Sequence, residues 1–340
     1  MAQTTGKAEA ALDPQQLMQM SMSFTSSRIL SAAVRLDIFS PLASGPKTAA
    51  AAAKAVGASE RGTRMLLDAL TALQLLNKSG GEYSLTPAAA QYLVRGSRDY
   101  MGAVMADDSL RETWDKLDEA IRTGRPQRRV EGQAAAEKFF PLLIASLHVL
   151  NRAPAALTAQ ALGAGTERRR NLRVLDVACG SGVWGIAVAE ADPGAHLTFQ
   201  DFPGVLEHTK QYVKRHGLEK RADYLPGDLK QVDFGEGRYD VALLGNIVHS
   251  EGEASSRDLF RRLHRALRPE GQLALIDILP NEERTGPPWA VVFALNMLVN
   301  TSDGDTYTLD EYRGWLTDAG FARVETAEIG SHSPLVVGVK

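Results

Sequence analysis

The chain has 340 residues, a length that suits about two domains, each burying its own core. Hydrophobic residues make up 44% and charged residues 23%, the proportions of a soluble globular protein, which exclude a disordered or fibrous chain. A formal net charge of -3 gives no overall attraction to phosphate backbones and argues against a nucleic-acid partner. Cys179 is the sole cysteine, so intrachain disulfides and cysteine-based zinc sites are excluded, and a reducing, cytoplasmic location is expected. The N-terminal MAQTTGKAEAALDPQQ lacks the apolar run of a secretory signal. Apolar stretches such as 290–299 break off before the ~18 residues of a spanning helix, so no membrane segment is expected.

In chain order, Leu17, Met20, Phe24, Ile29, Leu30, Ala33 and Leu36 recur at helical spacing and predict a helix from Pro14 to Leu36. Further helices are predicted over Thr48 to Val56 and, with Ser59 as N-cap, over Glu60 to Leu76. The Ser-Gly-Gly turn inside Leu76 to Leu85 predicts a β-hairpin, and Thr86-Pro87 opens another helix. Three helices and a hairpin form a winged-helix pattern, which serves either DNA binding or dimerisation. Ser59 to Leu75 carries Arg61 and Arg64 against two acids, too little positive charge for a groove-reading helix, and the Met18, Met20, Met22 stripe suits a partner chain or plain core. Residues 1–100 are therefore expected to be a winged-helix dimerisation domain.

Helical patterns then run over Asp99 to Thr123, Ala134 to Leu150 and Pro154 to Leu162, a bridge placed at 101–166. Beyond the charged Glu167 to Arg170, strand candidates at Leu172–Val177, His196–Gln200, Ala222–Leu225, Val241–Leu244 and Gln272–Ile278 alternate with helices at Val183–Ala191, Gly204–His216 and Ala254–Leu267. This alternation predicts an α/β domain over 167–340, with a parallel sheet covered on both faces. Phe321 to Ile329 and Ser333 to Lys340 are expected as an antiparallel hairpin at the sheet edge.

Ligands in such sheets bind past the carboxyl ends of the strands. After the first strand the chain reads Asp176-Val-Ala-Cys-Gly180-Ser-Gly182-Val-Trp-Gly185, which contains G-x-G-x-x-G, and Asp201 follows Gly182 by 19 residues. That spacing also suits a dinucleotide fold. A carboxylate at Asp176, however, would set like charge beside a pyrophosphate and suits a cationic ligand better. S-adenosylmethionine is such a ligand, with an ammonium, a sulfonium and no phosphate. Gly180 and Gly182 would admit it, Asp201 could accept from both ribose hydroxyls, and in Leu225-Pro-Gly-Asp228-Leu229 the acid could accept from the adenine amine while Leu229 packs on the ring.

LDVACGSGVWG, FQDFP, PGDL and YDVALLGNIVHSEGE, in this order and spacing, resemble the motifs of class I S-adenosylmethionine-dependent methyltransferases. Over most of its length the chain is similar to small-molecule O-methyltransferases of the caffeate and acetylserotonin type, which dimerise through a winged-helix N-terminal domain. The resemblance implies a Rossmann-like seven-stranded sheet. It also implies cofactor contacts at Asp176, Gly180, Gly182, Asp201, Asp228 and Leu229, and a homodimer. His249, just past a strand end, falls where that family has its general base, and Ser250 and Glu251 stand where the family has Asp and Trp. Asp277, 28 residues on, falls on the acid that orients the histidine, while the family's second acid maps to the uncharged Thr306.

The acceptor pocket is expected from Phe139 to His148, Phe140 among them, and from Trp289 to Thr301, with Met297 supplying apolar surface and Asn296 and Asn300 selecting hydroxyl patterns. No His/carboxylate cluster has metal-ligand spacing, so metal-independent chemistry is expected. The overall expectation is methyl transfer from S-adenosylmethionine to a hydroxyl of a small aromatic or polycyclic metabolite. C-methylation, a non-methylating reaction on the same fold, and a DNA-binding S-adenosylmethionine sensor stand as alternatives.

Overall fold

The structure, a computed structural model, describes residues 12–130 and 132–340. Residues 1–11, where no secretory signal is expected, lie outside the described residues. The chain divides into two compact units, the first ending at Asp108 and the second beginning at Ser109.

The first unit contains α1 (Pro14–Ser21), α2 (Phe24–Arg35), α3 (Phe39–Leu42), β1 (Lys47–Thr48), α4 (Ala49–Val56), α5 (Glu60–Ala72), β2 (Leu76–Ser79), β3 (Glu82–Leu85), α6 (Pro87–Tyr92) and α7 (Gly102–Ala106). Asp13 opens α1 with a capping box: its carboxylate accepts from Gln16 N at 2.7 Å, and Gln16 Oε1 accepts from Asp13 N at 2.9 Å. The single helix expected over 14–36 is broken at Met22–Ser23. There the hydroxyls of Ser21, Ser23 and Thr25 each donate to a main-chain carbonyl three or four residues back, which competes with the helical ladder. The hairpin joins β1 in a small sheet of order β1-β3-β2 over a core of Phe39, Leu67, Leu70 and Tyr83. Helix α1 buries none of its residues, and Leu17, Met18, Met20, Met22 and Phe24 are all exposed.

The helix expected over 99–123 is likewise interrupted, because Asp107 turns extended after α7; α8 (Ser109–Trp114) and α9 (Leu117–Thr123) follow separately. In contrast, the two segments expected at 134–150 and 154–162 are one helix, α10 (Gln133–Ala161), running through Pro141 and Pro154. By length and apolar composition this 29-residue helix would reach across a membrane, where the sequence reading expected no such segment. Ala155 and Ala159 of α10 pack with Val183 and Ile186 in one core cluster, and burying that face outweighs the helix-breaking tendency of the prolines.

The second unit continues through β4 (Arg173–Val177), α11 (Val183–Ala191), β5 (His196–Asp201), α12 (Pro203–Arg215), β6 (Ala222–Pro226), β7 (Tyr239–Gly245), α13 (Gly252–Ala266), β8 (Leu267–Ile276), α14 (Pro288–Asn300), α15 (Leu309–Asp318), β9 (Arg323–Ala327) and β10 (Leu335–Val339). Seven strands lie in the order β6-β5-β4-β7-β8-β10-β9. The pairs from β6 to β8 are parallel, and β10 runs antiparallel to both β8 and β9. Alternate residues of β4 enter different cores: Val174 packs with the cluster containing α11, and Leu175 and Val177 with the one containing α13. This two-sided burial explains the continuous apolar strands. From β4 the chain steps outward through β5 to β6 and then returns to β7 on the other side, so the carboxyl end of β4 is the topological switch point.

Candidate active site

At the switch point the loop from Ala178 to Gly182 takes positive φ at Ala178 (50°), Gly180 (55°) and Gly182 (74°). It is pinned to β5, since Cys179 N donates to Gln200 O at 3.1 Å, Ala178 N to Gln200 Oε1 at 3.2 Å, and Gly180 N to Asp201 Oδ2 at 2.9 Å. The loop borders a cavity of about 1030 Å³, open mouth included. Gly180, Asp201, Asp228, Leu229 and Phe140 all line it. A Cβ on Gly180 would meet nothing within 4 Å, leaving open space at the loop's crest.

Two residues expected at the cofactor stand elsewhere. Gly182 caps α11 and does not line the cavity; a Cβ there would lie 2.7 Å from Cε1 of Phe199, so glycine is required by packing. Asp176 is also absent from the cavity wall: its Oδ2 accepts from Gly185 N at 2.9 Å, and its Oδ1 has no partner among the described residues. Because side chains alternate along a strand, a carboxyl at this position of β4 turns toward the first turn of α11. Burial pushes it up to about 8.

Asp201 ends β5 with Oδ2 accepting from Gly180 N and Oδ1 from Phe202 N at 2.7 Å, so each oxygen keeps a lone pair for a ligand. Burial pushes it up to about 6, and the neighbouring Glu137 adds to the shift. Asp228 accepts from Lys230 N at 2.9 Å. Lys230 reaches Oε2 of the buried Glu251 at 3.2 Å, and both side chains line the cavity, a pair not anticipated from the sequence. Asp201, Asp228 and Glu251 thus face the cavity against one lysine, which favours a cationic occupant. The open glycine crest and the spare carboxylate lone pairs fit S-adenosylmethionine, which carries two positive charges and one negative.

Neither His249 nor Asp277 lines this cavity, although their neighbours Ile247, Ser250 and Glu251 do. The structure pairs the two directly. His249 Nδ1 bonds Asp277 Oδ1, and His249 N donates to Asp277 Oδ2 at 2.9 Å. The same carboxylate accepts from Ile278 N at 2.8 Å and from the hydroxyl of Tyr312 at 3.1 Å. With Nδ1 so engaged, Nε2 makes no hydrogen bond among the described residues, and the ring stands edge-on to Phe293 at 5.0 Å between centroids. The main chain is clamped as well, since Asp305 N donates to His249 O at 2.9 Å and a Cβ on Gly304 would collide with that oxygen. Thr306 is buried beside this segment.

Of the expected acceptor segments, the first lines the cavity through Phe140, Ile144 and Leu147, whereas Asn296, Met297 and Asn300 of the second are absent from its wall. Asn296 Oδ1 accepts from Trp114 Nε1 at 3.2 Å and from Asn300 Nδ2 at 3.2 Å, while Asn300 Oδ1 accepts from Arg128 at 3.1 Å. These two carboxamides tie α14 to α8 and to the segment between α9 and α10. Met297 is buried with its sulfur 3.9 Å from Ser250 Oγ. Trp184 lines the cavity unannounced by any spacing; its Nε1 stands where a Cβ on Gly245 would be, 2.0 Å away.

A mostly parallel seven-stranded sheet with an antiparallel final pair, bearing a glycine loop and two strand-end acids at its switch point, defines a class I S-adenosylmethionine-dependent methyltransferase. Residues 114–322 match the O-methyltransferase domain family, and residues 18–95 match the O-methyltransferase dimerisation domain. The chain belongs to this O-methyltransferase family and is an S-adenosylmethionine-dependent enzyme. It is 30% identical over 338 residues to the tetracenomycin polyketide synthesis 8-O-methyl transferase TcmO of Streptomyces glaucescens, covering 96% of this chain and 97% of that protein. To the 3-hydroxy-5-methyl-1-naphthoate 3-O-methyltransferase of Streptomyces sahachiroi it is also 30% identical, over 96% of this chain and 95% of the relative. The crystal structure of human N-acetylserotonin methyltransferase in complex with SAM is similar with a TM-score of 0.82 and 26% identity, over 98% of this chain and 99% of the other.

Proposed function

We propose that the enzyme methylates a hydroxyl on a small aromatic or polycyclic metabolite, with His249 as general base and Asp277 as its orienting partner. The observation that carries this reading is the buried His249–Asp277 pair, with Nδ1 held and Nε2 unbonded, immediately beside an acid-lined cavity. Relatives named for a tetracenomycin polyketide and a naphthoate support the aromatic class.

In this reading Gly180 gives the cofactor close approach to main chain, Asp201 accepts from the ribose hydroxyls, and Asp228 with Leu229 takes the adenine. When bound, S-adenosylmethionine supplies a methyl group activated by the sulfonium. His249 takes the hydroxyl proton at Nε2, and Asp277 holds the resulting imidazolium. A phenol of pKa near ~10 is mostly protonated at neutral pH, so an imidazole in contact with its hydroxyl makes the nucleophile more reactive. Phe140, Ile144 and Leu147 offer the flat apolar wall such an acceptor needs. Residues 167–340 carry the cofactor and the base, residues 101–166 supply the acceptor wall, and residues 1–100 hold two copies together through the exposed Met18, Met20 and Met22 face.

The test is His249→Ala assayed with a panel of phenolic acceptors and labelled methyl donor. Turnover falls ~10²- to 10⁴-fold, with affinity for S-adenosylhomocysteine unchanged. Unchanged turnover removes the base assignment, and a product heavier by a methyl on carbon would replace O- with C-methylation.

A further inference from the structure

We propose that Tyr312 is the third member of the base assembly, a positioning residue whose hydroxyl sets the proton affinity of His249 by acting through Asp277. Asp277 follows β8 directly and has both carboxylate oxygens occupied: Oδ1 by His249 Nδ1 and Ile278 N, Oδ2 by His249 N and the Tyr312 hydroxyl. Three of these four donors are fixed by the local chain or by the histidine itself. Tyr312 alone arrives from a distant element, the second turn of α15, and it is fully buried. Its ring is wedged among Phe260, Tyr307 and Trp315, which aims the hydroxyl without freedom to rotate away. Burial and the neighbouring carboxylate hold the phenol far above its usual range, so it stays a donor at every working pH.

A hydrogen bond to a carboxylate disperses its charge and weakens its hold on an adjacent imidazolium. Tyr312 therefore keeps His249 less basic than a bare dyad would. Among the described residues, charged or titratable groups near the histidine include Asp303 and Asp305 on the loop before α15, Tyr307 on the same loop, and Glu251 at the start of α13, which is paired with Lys230. Arg284 lies 3.8 Å from Asp305 and pairs with Glu311 at 2.9 Å. None of these groups hydrogen-bonds Asp277, so Tyr312 is the element through which the dyad can be tuned.

The consequence for turnover rests on His249 being the base; the consequence for its titration does not. The full-length enzyme is labelled at histidine, and the His249 ring is titrated by NMR in the wild type, in Tyr312→Phe and in protein carrying 3-fluorotyrosine at 312. Losing the hydroxyl raises the His249 pKa by about half a unit to one unit, and the more acidic fluorophenol lowers it. The acidic limb of the kcat profile moves with it while the plateau changes less than about threefold. A His249 titration unmoved in either protein overturns the proposal. A moved titration with an unmoved kcat limb keeps the coupling and instead refutes His249 as base. If Tyr312→Phe fails to fold, the fluorotyrosine protein carries the test alone, because it preserves shape.

Discussion

Alanine at Gly180 and alanine at Gly182 separate two roles that the glycine motif places side by side. Both positions have positive φ, at 55° and 74°, so each substitution costs roughly 1 kcal/mol of backbone strain. At Gly180 nothing lies within 4 Å of the added Cβ, so strain is the whole stability cost. At Gly182 the Cβ arrives 2.7 Å from Phe199 Cε1 and 3.2 Å from Thr209 Cγ2. Phe199 has little room to retreat, because it is fully buried in the core cluster and stacks on the Tyr224 ring at 6.1 Å between centroids. Overpacking adds ~1–3 kcal/mol, for a total of about 2–4 kcal/mol at Gly182. Urea denaturation should therefore show Gly182→Ala clearly the less stable. Titration calorimetry with S-adenosylhomocysteine should show the reverse ranking: Gly180→Ala loses ~10-fold or more in affinity through the filled crest, equivalent to about 1.4 kcal/mol. Equal destabilisation of the two variants, or full affinity in Gly180→Ala, would refute the division into a ligand-facing and a packing glycine.

Three further outcomes follow from the buried acids and from α14. Asp176 is raised from 3.8 to about 8, so its favourable contribution is present below pH ~4 and is lost as pH rises through about 8; Asp176→Asn should flatten the fall in stability across that window, measured by denaturation at stepped pH, and an unchanged slope would sink the assignment. Asp201, raised to about 6, must be ionised to accept from both ribose hydroxyls, so affinity for S-adenosylmethionine should weaken as pH falls through about 6 and Asp201→Asn should abolish that dependence; calorimetry at pH 5 and 7.5 checks it. Asn296→Leu strands the Trp114 donor and removes one of the two acceptors of Asn300 Nδ2, and should cost roughly 1–3 kcal/mol in thermal or chemical denaturation without altering regiochemistry; a changed product pattern would return Asn296 to the acceptor pocket.

The strand–helix alternation after Leu172 was legible because apolar runs of strand length and helical periodicity are local properties of the chain, and α11 matches the expected span of Val183–Ala191. Breaks were harder to see. Apolar spacing alone predicts one helix over 14–36, and the hydroxyls of Ser21, Ser23 and Thr25 end it; at α10 the prolines suggest two helices, and burial against α11 keeps one. For the site, the acids at the ends of β5 and β6 were readable because a strand end is a place any open α/β sheet exposes. Asp176 was not, since its direction depends on which face of β4 points at α11. Asn296 and Asn300 look like selectors in sequence only because their partners, Trp114 and Arg128, lie more than a hundred residues away.

What the sequence by itself determined is the α/β class, the glycine loop at the first strand end, and the acids available to a cationic cofactor, all consequences of residue type and short-range spacing. Tertiary structure decided which glycine faces the cavity and which faces Phe199, which carboxylates meet the ligand, and that Tyr312 reaches Asp277 across 35 residues of chain. The physical reason is common to all three: hydrogen bonds and hard-core contacts act over a few ångströms, and the segments they join are brought together only by the strand order of the folded sheet.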